Sequence, residues 1–476
     1  MFARHRIVAV LVALCVAFFI WAPTPGWLPA RDTLSPRILN STLGFQHIFA
    51  INLPERTDRR DAMVLAAALS ELDVTLMDGV MGRDVPDKVL PGDPESREGR
   101  FNKGNKGSWR AHMDVLQRIV RENITSALIL EDDADWDVRI KAQMQIFAQA
   151  SRIFTQPNPS THQPAADDPN LFLGTPQSSS SSPSLPLTNI PPRLIPHPHL
   201  TPYGDDWDVL WLGHCGTDFP GPSINPSFPG SPLRVTIADD PTVPSAAHLK
   251  PHPFALQDAL ADAYPAHTRV VHAASGTACT QAYAVSQQGA RKLLWQFGLQ
   301  TLTTGWDLML RDWCDGFYPA SEGAREEDFE DDDAGEQGRS TKAPGKKPGI
   351  HGQKEDPDQD EADSKPGSNT GNDDNERRGL GLPTSSPSGS SSSSSSSGTK
   401  RTVKRREHPM CVTVQPPLFS HHYGRGAASD IMAPGGGFVN REKEMTPYVR
   451  QSVRLNMERL VRGLAPREQW GEKSGE

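Results

Sequence analysis

Short apolar runs alternate along this chain with stretches of helical periodicity, the pattern of an α/β domain. Phe45–Leu53, containing HIFAINL, reads as a buried strand that enters a charged turn and then a helix from about Arg59 to Leu72. Val74–Met77 is a second strand ending at Asp78-Gly79, and the stretch to Arg100 is loop-rich. Trp109, Met113, Leu116 and Val120 stand at helical spacing within Ser108–Glu122. Ser126–Leu130 is the next strand, it runs directly into Glu131-Asp132-Asp133-Ala134-Asp135, and a helix follows from about Ile140 to Arg152. Further strands are expected at Trp207–Leu212, Thr280–Ser286 and Met410–Val414, with helices at Gln287–Phe297 and Gly305–Cys314. An apolar run that finishes in carboxylates is what an interior strand of a parallel sheet looks like when its C-terminal end opens on a site. The expected architecture is α/β, a mostly parallel central sheet flanked by helices, with long disordered insertions.

The insertions are the parts without periodicity. Gln156–Pro202 is rich in Pro and Ser, and a poorly patterned stretch runs from Leu212 to about Pro265. From Gly323 to about Thr402 the chain is acidic and then polar, with an unbroken serine run at Ser390–Ser397, and no core forms from such a composition. Ile7–Ala22 carries no charge and follows Arg4, His5 and Arg6. As a helix it rises about 24 Å, which suits a signal-anchor with the N-terminus in the cytoplasm, a cleaved signal peptide being the competing reading. The expected division is a cytoplasmic tail at 1–6, an anchor at 7–22, a stem at 23–44 and a catalytic domain at 45–320 interrupted by 156–202. An acidic and Ser-rich insertion follows at 321–408, then the rest of the catalytic domain at 409–432 and a partly helical tail at 433–476.

Composition sharpens this picture in three ways. Of 476 residues, 36% are hydrophobic and 82 are Gly or Pro (39 and 43), so polar blocks dilute an ordinary globular core. The net charge of -9 gives no general attraction to nucleic acid, and the run Glu326–Asp333 reads as solvated spacer. Cys15 lies in the first apolar run, leaving Cys215, Cys279, Cys314 and Cys411 without CxxC spacing. One or two disulfides or free core thiols fit those four equally, and a structural zinc site does not. Asn40-Ser41-Thr42 and Asn123-Ile124-Thr125 are glycosylation sequons, Asn40 being the better candidate in a stem.

The candidate chemistry centres on Glu131, Asp132, Asp133 and Asp135. Clustered carboxylates repel, and a divalent cation at a strand end balances them. Mg²⁺ and Mn²⁺ need only one or two protein carboxylates when substrate phosphates complete the shell. Glu131 with Asp133, or Asp133 with Asp135, faces one side of an extended strand; the competing reading is a helix cap in a solvated turn. Asn52, Arg56, Asp58, Arg59 and Arg60 close the first strand, where arginines clamp phosphate and Asn or Asp bonds ribose or base, against a reading of exposed capping residues. Of His421 and His422, one is a candidate to complete the metal shell, His421 first, or to touch phosphate, a structural imidazole being the alternative, and His112 packs or hydrogen-bonds from its helix. Asp307 is the first choice for a general base and Asp312 the second, their alternative role being helix capping. Cys279 has no His/Asn arrangement to make it a nucleophile, and no Gly-rich phosphate loop is present.

In order along the chain, INLPERTDRR at 51–60, MDGVMGRD at 77–84, GNKGSWRAH at 104–112, ALILEDDAD at 127–135, AYAVSQQGARKLL at 282–294, GWDLMLRD at 305–312 and PPLFSHH through SDI at 416–431 resemble glycosyltransferase family 25. That group holds bacterial lipopolysaccharide galactosyltransferases and procollagen galactosyltransferases, and the style is nearest its fungal members. The resemblance implies a GT-A-like fold that transfers a hexose, galactose foremost, from a UDP-sugar to a hydroxyl of a glycan or glycoprotein, with inversion and Mn²⁺ or Mg²⁺. It implies donor contacts at Asn52, Arg56–Arg60, Asp132 and Gly107–His112, metal at Asp133 with Asp135 or Glu131, and an acceptor-side carboxylate at Asp307. It further implies single-pass residence in a Golgi or endoplasmic reticulum membrane with the catalytic domain in the lumen. Two rivals stand beside it: another nucleotide-dependent α/β enzyme, and a non-catalytic lumenal glycan-binding or scaffold protein that retains the fold.

Overall fold

The computed structural model describes residues 35–95, 101–155, 184–190, 195, 198–220, 234–249, 260–318, 408–425 and 443–471. The apolar run at 7–22, the segment 319–407 and Ser429-Asp430 lie outside them, and among the described residues no helix is long and apolar enough to cross a membrane. In chain order the elements are β1 (His47–Asn52), α1 (Thr57–Leu69), β2 (Val74–Asp78), α2 (Lys103–Arg121), β3 (Ser126–Glu131), β4 (Ala134–Trp136), α3 (Ile140–Thr155) and β5 (Ser184–Pro186). They continue with β6 (Val209–Gly213), β7 (Arg234–Ile237), β8 (Arg269–Ala273), β9 (Ala282–Ser286), α4 (Gln287–Trp295), α5 (Trp306–Cys314), β10 (Cys411–Gln415), β11 (Phe419–His421) and α6 (Met457–Val461).

The strands form one sheet in the order β2-β1-β3-β9-β6-β10-β8-β7-β5, with β11 pairing both β6 and β4. β1 lies parallel to β2 and β3, joined through the crossover helices α1 and α2. The chain therefore moves outward from β1 to β2 and returns across it to β3, which opens a crevice beyond the C-terminal ends of β1 and β3. β9 enters between β3 and β6 antiparallel to both, and β8 is antiparallel to β7 and β10, so the sheet is mixed and not mostly parallel as expected. Antiparallel neighbours need no crossover helix, which is how the late strands assemble with few helices between them.

Alternate side chains feed two cores. Ile48, Ala50, Leu128 and Leu130 pack with Met63 of α1 and Met144 and Phe147 of α3 on one face. Phe49, Ala127 and Ile129 pack with Trp109, Met113 and Leu116 of α2 and Trp306 of α5 on the other. Each fully buried Phe, Leu or Met contributes about 1.5–3 kcal/mol, so this alternation fixes strand register firmly. α2 starts at Lys103, earlier than its apolar periodicity, because the Asn102 side chain accepts from Asn105 N at 2.8 Å as an N-cap. Gly82 and Gly107 allow that first turn to lie on the 80–82 backbone: a Cβ on Gly107 would sit 2.3 Å from Val80 O. Gly107 thus serves packing, and no donor-facing role is needed to explain it.

Described parts of three stretches without sequence pattern are built into the domain. Within 156–202, Ile190 is buried and Thr201 is buried, and Tyr203 just beyond stacks on Phe45 at 4.6 Å. β7 lies in the stretch read as unpatterned, and β8 lies just beyond it, where the sequence pattern predicts no strand. The expected tail supplies residues 443–471, which pack against β4.

Candidate active site

The crevice between β1 and β3 is floored by Asn52 and Glu131, whose strands are in register at Ile51 and Glu131. Asn52 is completely buried. Its Nδ2 donates to Asp132 Oδ2 at 2.8 Å and to Arg56 O at 3.2 Å, and its Oδ1 accepts from Arg60 Nε at 3.0 Å. Asn52 therefore orients the charged groups around it instead of touching a ligand, which corrects its expected role. Arg60 also pairs with Asp78 at 2.9 Å, and Arg56 grips Asp58 through two hydrogen bonds at the surface. The Arg56 guanidinium, through its hydrogen bond, is the main cause that holds the Asp58 carboxyl down at about 2.

Arg59 is the cation that reaches inward. Its Nη1 lies 2.6 Å from Asp132 Oδ1 and 2.9 Å from Asp133 Oδ2. The second oxygen of Asp133, Oδ1, is buried without a hydrogen-bond partner, with His421 Nδ1 at 3.7 Å. Burial pushes the Asp133 carboxyl up, but the charges of His421, Arg59 and Arg454 prevail and hold it below its ordinary value. Burial, then the charge of Asp133, push Glu131 up to about 8, against a 2.7 Å hydrogen bond donated by Thr280 Oγ1. Asp132 is also raised, by burial and then by Asp133.

Asp135 differs from its neighbours. It is fully buried; Oδ1 accepts from Trp136 N at 2.8 Å and Arg454 N at 3.1 Å, and Oδ2 accepts from Thr446 Oγ1 at 2.6 Å and from Ser452 Oγ. A carboxylate saturated by four donors has no lone pair directed at the crevice, so Asp135 is removed from the expected metal set. His112 is corrected as well. It is buried, its Nδ1 is 2.8 Å from Tyr283 Oη, it stacks on Trp306 at 4.8 Å, and burial drives its imidazole down to about 3. It is a core residue and not a donor contact.

Asp307 stands at the N-terminal turn of α5, half-buried, accepting from Cys279 N at 3.1 Å, and burial raises its carboxyl. It lies close enough to Glu131 to help raise that group. Asp312 is held by Arg311 at 2.7 Å, near Asp315 and Tyr318, a different neighbourhood. Two disulfides, Cys215–Cys279 and Cys314–Cys411, resolve the alternatives left by cysteine spacing. The first secures the segment in which Cys279 N holds Asp307 and Thr280 holds Glu131.

Sequence reasoning missed Thr280, Thr446, Ser452 and Arg454. The last three lie in a segment whose Tyr448, Val449 and Val453 are buried, an apolar spacing that could have marked it as packed.

Residues 45–157 match the family model described as glycosyltransferase family 25 (LPS biosynthesis protein). Over these residues the chain is similar to glycosyltransferase family 25. Its mixed α/β sheet flanked by helices is consistent with a GT-A-like form of that family's domain. The chain is 27% identical over 126 residues to procollagen galactosyltransferase 1-B of Xenopus laevis, covering 25% of this chain and 21% of that protein. It is 30% identical over 116 residues to procollagen galactosyltransferase 1 of Danio rerio, covering 22% and 19%. It is also 27% identical over 130 residues to a probable inactive glycosyltransferase 25 family member 3 of Bos taurus, covering 25% and 22%. The chain thus spans about a fifth of the length of these curated relatives. All three are vertebrate proteins, and the fungal affinity suggested by motif style finds no support in them.

Among the described residues no group of three or more His, Cys, Asp or Glu side chains is arranged to hold a metal ion. Asp133 Oδ1 is nonetheless a buried carboxylate oxygen without a hydrogen bond, with only the His421 ring at 3.7 Å beside it, and so has room for a cation. A hard divalent ion that takes one or two carboxylates and draws its remaining ligands from a diphosphate fits that donor set.

Proposed function

We propose that this chain is a nucleotide-sugar glycosyltransferase that moves a hexose, galactose foremost, from a UDP-sugar to a hydroxyl of a glycan or glycoprotein. The observation that carries the reading is the conjunction of a switch-point crevice, a cationic Arg59 and an orphaned Asp133 oxygen at one place. Asp133, with Asp132 or Glu131 and with His421 nearby, would hold Mn²⁺ or Mg²⁺. A bound ion there supplies charge stabilisation to a departing diphosphate.

This chain's own residues carry the other roles. Arg59 exchanges part of its carboxylate pairing for the donor phosphates. The acceptor oxygen forms a bond to the anomeric carbon as the bond to the nucleoside diphosphate breaks, and Asp307 takes the hydroxyl proton, its raised carboxyl being suited to that transfer. Direct displacement of this kind inverts the anomeric centre. The disulfides and the uncharged run at 7–22 support maturation in an oxidising lumen behind a type II anchor of the Golgi or endoplasmic reticulum.

A second reading is a non-catalytic binding protein. The observation favouring it is that Arg59 already pairs with both Asp132 and Asp133. Incubating the purified lumenal chain with a panel of UDP- and GDP-sugars and collagen-type and glycan acceptors, with and without Mn²⁺, separates the two. Metal-stimulated transfer from UDP-galactose is expected; binding of UDP without turnover of any sugar would leave the second reading standing.

A further inference from the structure

The acidic turn is held by a segment more than three hundred residues away in sequence. Arg454 donates from Nη2 to Asp132 O at 2.7 Å and from Nε to Ala134 O at 3.0 Å. These two carbonyls belong to the residues on either side of Asp133. The carbonyl of Asp133 itself accepts from His422 N at 2.8 Å. Three consecutive carbonyls are therefore fixed by two elements from the end of the chain. The same segment is anchored on its other side, where Thr446, Ser452 and the Arg454 amide all donate to Asp135, Gln451 N donates to Asp137 Oδ2 at 3.0 Å and Val453 N donates to Trp136 O at 2.9 Å.

We propose that Arg454 is a positioning residue for the donor site: by binding the carbonyls before and after Asp133 it sets the direction of that carboxylate, and through it the affinity for a cation-bound nucleoside diphosphate. The inference rests on the glycosyltransferase reading of the crevice. Only a planar, forked side chain reaches two carbonyls in this way; a lysine retains the charge and keeps one of them. The guanidinium donates only to main-chain oxygens in these two contacts, so the carboxylates of Asp132 and Asp133 remain directed at the crevice and at Arg59. The family 25 match ends at residue 157, so this contribution lies outside the region compared.

The test uses the full lumenal chain with Arg454→Met and Arg454→Lys. Mn²⁺ binding is followed by the electron paramagnetic resonance of free Mn²⁺ in the presence of UDP, UDP binding by calorimetry, folded fraction by thermal melting, and turnover of UDP-galactose in parallel. Groups that orient ligating carboxylates typically govern affinity by about 10–100-fold. Arg454→Met is expected to weaken Mn²⁺–UDP binding per folded molecule by about that factor, and Arg454→Lys by less. A purely structural role would lower the melting temperature and the active fraction together, leaving the dissociation constant of folded molecules unchanged. That outcome, in either variant, overturns the inference while leaving the function intact. If Arg454→Met does not fold, Arg454→Lys decides, and a wild-type dissociation constant there is the overturning result. Failure of the unmodified chain to bind Mn²⁺ and UDP at all overturns the proposed function and this inference with it.

Discussion

Asp133 and Asp135 stand two residues apart in one turn and are both buried, yet they live in opposite chemical conditions. Asp135 is surrounded by four donors from its own turn and the 446–454 segment, and nothing remains for a ligand. Asp133 is paired on one oxygen with Arg59, while the other has His421 at 3.7 Å and no hydrogen-bond partner. Burial marks both as important, but only incomplete satisfaction marks one as a place where something else binds. A carboxylate motif therefore divides into a structural anchor and a ligand seat according to what the rest of the chain brings to each oxygen.

Substituting the two in parallel tests that division most severely. Asp133→Asn should fold with a melting temperature near that of the parent and lose at least about 100-fold in metal-stimulated transfer. Asp135→Asn should lose about 3–5 kcal/mol of stability in denaturant titration, because a buried charge-assisted network is broken. Equal stability losses from the two would erase the distinction.

A smaller effect is expected on the acceptor side. Cys279→Ser with Cys215→Ser removes the bridge behind Thr280 and Asp307, and about 2–4 kcal/mol of stability should go with it. Activity measured at low temperature, where the protein stays folded, should fall less than in Asp133→Asn.

The smallest effect separates the cores from the crevice by pH. Burial holds His112, His214 and His272 down at about 3, about 4 and about 3. Their neutral forms contribute stability that is present above pH 6.5 and is lost as pH falls toward 4, each at up to about 1.4 kcal/mol per pH unit. Glu131 works with the opposite sign: raised to about 8, its protonated form contributes stability below pH 4.5 that is lost as pH rises through 8. Asp315, raised to about 6, acts likewise over a lower window. Between pH 6.5 and 4.5 the buried imidazoles therefore impose an acid loss, which the raised carboxyls, Asp132 and Asp307 included, oppose. Glu131→Gln should steepen that acid loss and His272→Gln should flatten it; no change in either would break the assignment.

The legible part of the molecule was the part made by local pattern. HIFAINL, SALIL and the α2 stripe each announce burial within a few residues, and the crevice follows from how those strands connect. β7, β8 and the 443–471 segment are stabilised by partners far away in sequence, and short strands such as RVTI carry no distinctive period of their own. The same limit applies to the site. The acidic run was visible, but saturation of Asp135 depends on Thr446 and Ser452, and the burial of His112 depends on Tyr283 and Trp306. A sequence shows which groups are chemically able; distant contacts decide which of them remain available.

The Cys314–Cys411 bond joins the end of α5 to the start of β10 across a sequence separation of 97. α5, with Asp307 on it, is therefore tied to the sheet covalently as well as by packing, so the acceptor-side carboxyl keeps its place even where that packing loosens.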